Sequence, residues 1–140
     1  MDVGAYDGVH LSNTYFFELL GWRGICIEPH AKLFPKLKEN RPNSICLNMA
    51  VWDKNLDSLP FYATQLGSWS VAREENSEAL PRKRDYYVDV QQVSSKTLDT
   101  ILVEHNAPIE FEILSIDVEG TEWHIPVSYT HLTLPTTPYV

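Results

Sequence analysis

Long apolar runs are missing from this chain. No stretch reaches the roughly 18 consecutive apolar residues that a membrane-spanning helix needs. The amino-terminal residues show no basic region followed by an apolar one, so neither a transmembrane segment nor a signal peptide is expected. A surplus of cations is missing too: 11 Lys and Arg face 19 Asp and Glu, for a formal net charge of −8. That balance argues against nucleic acid as a partner, because such partners call for a basic footprint. It argues equally against electrostatic docking on anionic lipid. Cysteine is scarce. Cys26 and Cys46 each sit inside an apolar strand-like run, and no disulfide framework is visible. Free buried thiols in a reducing compartment, the cytoplasm, are the expectation. What is present is 140 residues with a hydrophobic fraction of 44%, enough for one domain with its own core.

Along the chain, strand-like and helix-like segments alternate. Asp2-Val3-Gly4 reads as the end of a buried strand. Ser12 or Asn13 can cap a helix that runs to Leu20 and stops at Gly21. Its apolar residues Leu11, Tyr15, Leu19 and Phe16, Leu20 repeat at helical spacing and are expected to pack on a sheet. Residues 23–28 read as a second strand and 30–40 as a second helix, in which Pro35 fits only within the first turn. Residues 44–48 read as a third strand. Residues 59–63 read as a fourth, paired with the alternating run 86–93, and 65–85 as a long loop with a helical turn near 74–80. A helix over 97–105 is capped by Ser95 or Thr97, and a strand over 111–117 ends in Asp117-Val118-Glu119-Gly120. This alternation predicts an α/β fold, a mostly parallel, doubly wound, Rossmann-like sheet with helices on its faces.

The chemistry concentrates at strand ends. In Asp2-Val3-Gly4-Ala5-Tyr6-Asp7-Gly8 a strand feeds a tight turn before a helix. Gly4 and Gly8 would let backbone amides approach a ligand, and the helix amino terminus would add positive partial charge. Glu28 lies 20 positions after Gly8, at the end of the second strand. There it is either a solvated strand-end carboxylate or the acceptor for both hydroxyls of a ribose. A dinucleotide site calls for Gly-x-Gly-x-x-Gly around a pyrophosphate. Here the spacing is Gly4-x-x-x-Gly8, led by Asp2, whose carboxylate suits a cation and repels a pyrophosphate. The loop therefore favours S-adenosylmethionine, which carries an ammonium and a sulfonium, over NAD. Asp2, Glu28 and Asp117 would share the carboxyl edge of the sheet, where open α/β sheets bind ligands. Asp117 could instead serve a solvated loop or a helix cap. Asp117, Glu119 and Glu122 are hard-ligand residues, but without a supporting cluster no metal site is expected. For a neutral hydroxyl acceptor, a general base would come from Asp117, Asp7 or His10, although His10 also fits a polar residue at a helix start. Trp69, in the irregular loop, is a candidate for a substrate lid.

Five segments resemble the FkbM-type methyltransferases in that family's order: Asp-Val-Gly-Ala-Tyr-Asp-Gly (2–8), Ser-Asn-Thr (12–14), Gly-Ile-Cys-Ile-Glu-Pro (24–29), Leu-Asn-Met-Ala-Val (47–51) and Ile-Asp-Val-Glu-Gly-Thr-Glu (116–122). The resemblance covers roughly residues 1–125. It implies a class I methyltransferase fold, S-adenosylmethionine as donor, and a hydroxyl oxygen of a small molecule or sugar as acceptor. By position, it implies that Asp2, Gly4, Ala5, Tyr6 and Gly8 line the methionine part, that Glu28 and Pro29 take the ribose, and that Ala50 and Val51 approach the adenine. It sets Asp117 at the amino-acid or methyl end, with Glu119, Gly120 and Glu122 completing that motif. Tyr6 departs from the asparagine common at its position.

Residues 1–126 are thus expected to form a partial methyltransferase domain, with the start of the first strand and the later strands absent and the isolated piece inactive. Residues 127–140, rich in Thr and Pro and without charge, resemble a translated sequencing-adapter read-through and are expected to be a non-native tail. Two other readings compete: an NAD(P)-binding Rossmann oxidoreductase, and a non-catalytic binding module that keeps the fold.

Overall fold

The computed structural model describes residues 1–64, 70–73, 87–108, 110–118, 122 and 125. The expectations for Trp69, Glu119, Gly120, the helical turn near 74–80 and the tail at 127–140 lie outside them. Eleven elements run in the order β1 (Asp2–Val3), α1 (Tyr15–Leu19), β2 (Ile25–Ile27), α2 (Phe34–Asn40), β3 (Ile45–Leu47), β4 (Ala50–Val51), β5 (Leu56–Thr64), β6 (Val71–Ala72), β7 (Tyr87–Lys96), α3 (Leu98–Glu104) and β8 (Ser115–Ile116). The chain is a mixed α/β protein, and its described residues form two four-stranded sheets, one ordered β3-β2-β1-β8 and the other β4-β7-β5-β6.

Every pairing in the first sheet is parallel: Asp2 opposite Cys26 and Ser115, and Cys26 opposite Cys46. A parallel sheet tends to bury both faces, and its inner strand β2, Ile25–Ile27, is apolar and buried throughout. β2 shows how the faces are shared. Ile25 and Ile27 pack with Leu98, Ile101 and Leu102 of α3, while Cys26 between them packs with Leu37 of α2. Period-two alternation thus puts one helix on each side. The strand order reverses at β1, where β2 leaves to one side and β8 to the other.

The pairing expected between 59–63 and 86–93 forms and is antiparallel, with Leu59 opposite Val93 and Phe61 opposite Gln91. It belongs to the second sheet, which gathers its own core of Trp52, Leu59, Phe61, Ala63, Ala72 and Val93. β4 joins the two cores: Ala50 points into the second and Val51 into the first. The irregular loop expected over 65–85 contains a strand at Val71–Ala72, bridged to Phe61 and Tyr62. Pro35 falls in the first turn of α2, as its missing N–H requires. Thr97 caps α3, its hydroxyl accepting from the Thr100 amide at 3.2 Å. β8 is shorter than the strand expected over 111–117, because the β1 it pairs with has only two residues.

α1 departs furthest from expectation. Its apolar residues do not pack on the sheet: Leu11 is 87% exposed, and Phe16, Leu19 and Leu20 are exposed as well. The helix has only five residues, and it buries its polar side, Thr14 and Glu18, against Arg41. Its carboxyl end is as expected, but its amino-terminal cap position is Thr14, without a side-chain cap hydrogen bond, and not Ser12 or Asn13. Ser12 Oγ accepts from the amides of Thr14 and Tyr15, at 3.2 and 3.1 Å. Gly21, at φ +91°, closes the carboxyl end, with Gly21 N bonded to Glu18 O and Trp22 N to Phe17 O. Those two bonds form a Schellman motif, and the Phe17 and Trp22 rings supply its apolar contact at 5.1 Å.

Candidate active site

A cavity of about 410 Å³ opens at the carboxyl ends of β1, β2 and β8. Asp2, Gly4, Ala5 and Tyr6 form one wall, Glu28 and Pro29 a second, and Ala50 and Val51 a third, with His10 and Asp117 at the rim. Of the described residues singled out from sequence, Gly8, Asp7 and Glu122 are not in its lining. Phe61 and Ala72 of the second sheet, together with Ser70, close the far side. Sequence reasoning missed these three. Alternation marked 59–63 as a strand, but nothing local told which cavity Phe61 would face.

The turn after β1 is wound tightly. The Ile27 carbonyl accepts from both Gly4 N and Ala5 N, at 2.9 and 3.0 Å, and Gly8 N returns to Ala5 O at 2.8 Å. Gly4 and Gly8 have φ of +81° and +82°, and Tyr6 has +54°. The protein's own packing already requires both glycines. A Cβ on Gly4 would lie 1.9 Å from the Asp117 carbonyl oxygen, and one on Gly8 would lie 2.6 Å from Arg41 Cγ. Nor does the turn open directly into α1, which starts at Tyr15, and the amides of Thr14 and Tyr15 are taken by Ser12. The turn rests on the end of α2, where Asn40 Nδ2 donates to Asp7 O at 2.8 Å and Arg41 Nη1 to Gly8 O at 3.1 Å.

Glu28 is 6% exposed, so it is not a solvated strand-end carboxylate. Its Oε2 accepts from the Tyr6 amide at 2.9 Å and its Oε1 from the His30 amide at 2.8 Å. The left-handed backbone at Tyr6 aims that first amide. Asparagine tolerates such a φ better than tyrosine does. Burial pushes the Glu28 carboxyl up from its ordinary 4.5 to about 7, against the lowering effect of the two amides. Asn48 Nδ2 donates to the carbonyls of Glu28 and Pro29, at 2.8 and 3.2 Å, and fixes the chain behind the acid. His30 Nδ1 accepts from Lys32 N at 3.2 Å. This leaves Nε2 to donate to the Thr64 carbonyl at 3.3 Å and ties the end of β2 to the second sheet.

Asp2 is buried, and its Oδ2 accepts from Thr14 Oγ1 at 2.6 Å and from Ser12 Oγ at 3.3 Å. Of the three candidate bases, Asp7 is spent on the turn, its Oδ1 accepting from Val9 N and His10 N at 3.0 and 2.8 Å. His10 stands exposed, its ring 6.3 Å from that of Tyr6. Asp117 is exposed at the other side of the opening, its amide donating to Val3 O at 2.9 Å. The lining carries no Lys or Arg among the described residues. Nor do these residues contain a cluster of three His, Cys, Asp or Glu placed to hold a metal ion. No helix among them is long and apolar enough to cross a membrane.

The parallel sheet reverses its order at β1, and the cavity, walled by a glycine turn and two buried acids, lies at that reversal, the place where open α/β sheets characteristically bind ligands. Residues 2–125 match the methyltransferase FkbM domain, and the chain belongs to that family. Nothing among curated proteins or solved structures matches it. The protein carries a methyltransferase domain.

Proposed function

We propose that the domain is an S-adenosylmethionine-dependent methyltransferase of the class I, Rossmann-like kind, acting on a hydroxyl oxygen of a small molecule or sugar. The observation that carries this reading is Glu28, a buried carboxylate that lines the same cavity as Asp2 and the Gly4 turn. The lining fits the donor. Asp2 offers a carboxylate to its cationic amino-acid end, Glu28 accepts from ribose hydroxyls, and Ala50, Val51 and Phe61 give an apolar slot for the base. When bound, the donor supplies an activated methyl group on a positively charged sulfur.

The chain's own residues have three tasks. The turn at 4–8 and the end of β2 hold the donor in one orientation, and alignment is the larger part of catalysis in such a transfer. Phe61, Ala72 and Val51 exclude water on the far side. Asp117 and His10 flank the opening, where either can take the proton from a neutral hydroxyl acceptor. A cytoplasmic setting accords with Cys26 and Cys46 as free thiols, the first pushed up to about 11 by burial.

Isothermal titration of the chain with S-adenosylhomocysteine and with NAD tests the assignment. Binding of the first and not the second is expected, with loss of affinity in Glu28→Gln. Binding of NAD alone would favour an oxidoreductase. Normal cofactor affinity without methyl transfer by the full protein to any hydroxyl compound would indicate a binding module.

A further inference from the structure

Arg41 stands just past α2 and is 3% exposed, yet it takes no part in the cavity wall. A guanidinium is costly to bury unless its donors are all used. Here Nε donates to Glu18 Oε2 at 2.5 Å, Nη1 to the Gly8 carbonyl at 3.1 Å, and Nη2 to Thr14 Oγ1 at 3.0 Å. Thr14 Oγ1 in turn donates to Asp2 Oδ2, and Arg41 Nη1 lies 3.9 Å from that same oxygen. One side chain therefore braces both ends of the glycine turn, its start through Asp2 and its end through Gly8.

The two acids of this buried cluster are held differently. The cluster holds two carboxylates and one guanidinium. Glu18 takes the close pair, together with Ser44 Oγ at 2.6 Å and the Asn43 amide at 3.1 Å. Burial would raise the Glu18 carboxyl, but the hydrogen bonds from Ser44 and Arg41 hold it below its ordinary value. Asp2 is left with the guanidinium at the longer distance and one oxygen held by hydroxyls. Of the two acids, Asp2 is the one that lines the cavity. Asp2 therefore presents its carboxylate to the ligand space, where it attracts a cation.

We infer that Arg41 is a positioning residue of the site: by holding Asp2 Oδ2 and the Gly8 carbonyl, it aims the Asp2 carboxylate at the ammonium of an aminoacyl-bearing nucleoside. This rests on the cofactor reading given above. Its test is Arg41→Met combined with Glu18→Met. The pair removes one charge of each sign, so the net charge around Asp2 is unchanged. Replacing a buried ion pair by apolar side chains is often neutral for stability. Two ligands are titrated: S-adenosylhomocysteine, which carries the amino-acid tail, and 5′-methylthioadenosine, which lacks it. The double variant should bind 5′-methylthioadenosine as the parent does and S-adenosylhomocysteine about tenfold or more weakly, the loss expected for a misaimed charged hydrogen bond. Arg41→Lys, which keeps the charge but not the fork, should show the same selective loss in smaller measure. If the double variant fails to fold, the lysine variant alone decides. Equal weakening of both ligands, or no weakening of either in a folded variant, overturns the inference. A parent chain that binds neither nucleoside overturns the cofactor reading, and the inference with it.

Discussion

At Glu28, burial and hydrogen bonding pull in opposite directions. The apolar surroundings favour the neutral acid, while two backbone amides favour the carboxylate, and the balance leaves the group at about 7. Two consequences follow. Ribose hydroxyls donate to a carboxylate, so affinity for S-adenosylhomocysteine should rise between pH 6 and pH 8, and Glu28→Gln should flatten the profile along with weakening it; titration calorimetry across that range reads this. In stability the sign is reversed. The folded chain holds this proton more tightly than the unfolded one from about pH 4.5 to about 7. The contribution is therefore full below that window and is lost as pH rises through it, by about 3 kcal/mol. Urea melts of the ligand-free parent against Glu28→Gln should show the difference in slope. Gly4 makes a second prediction at this scale. Alanine there meets the Asp117 carbonyl and a left-handed backbone, so Gly4→Ala should cost at least about 2 kcal/mol in a urea melt. The identity of both residues was legible in the sequence. The reason for Gly4 was not, because Asp117 lies 113 positions away and meets it only through β1–β8 pairing.

Elements follow local rules where those rules are strong. Thr97 caps α3 through the Thr100 amide, so Thr97→Ala should lower stability by about 1 kcal/mol. Gly21 has open space around it but φ of +91°, so Gly21→Ala should cost a similar amount through backbone strain alone. Urea denaturation of the two variants checks both. These caps were readable because a cap acts within a few residues. Which side of α1 is buried was not readable. A five-residue helix carries too little periodicity to overrule a tertiary partner, and the ion pair between Glu18 and Arg41 turns the apolar side outward.

For the whole molecule, the outward side of α1 matters most. Phe16, Leu19 and Leu20 form an exposed apolar surface beside Trp22, and such surfaces promote self-association. Leu19→Glu with Leu20→Glu should leave the unfolding free energy from urea melts within about 0.5 kcal/mol of the parent, as surface changes usually do. It should also raise the concentration at which light scattering appears. Loss of cooperative unfolding in this variant would show instead that the surface is part of a core. The two sheets make the other large-scale feature. They meet over the cavity because Ala50 and Val51, adjacent in one short strand, belong to different cores.

The sequence by itself determined the alternation of strands and helices, the glycine turn, the acid at the end of the second strand, and the family. All of these are encoded within a few residues or in the spacing one crossover imposes. Only the tertiary structure decided that a second sheet closes the cavity with Phe61, that α1 buries Glu18 instead of its leucines, and that Arg41 braces Asp2 and Gly8. Those outcomes depend on side chains more than twenty positions apart meeting at one place. Their meeting is set by how the sheets and α2 pack and by the cost of leaving a buried charge unpaired.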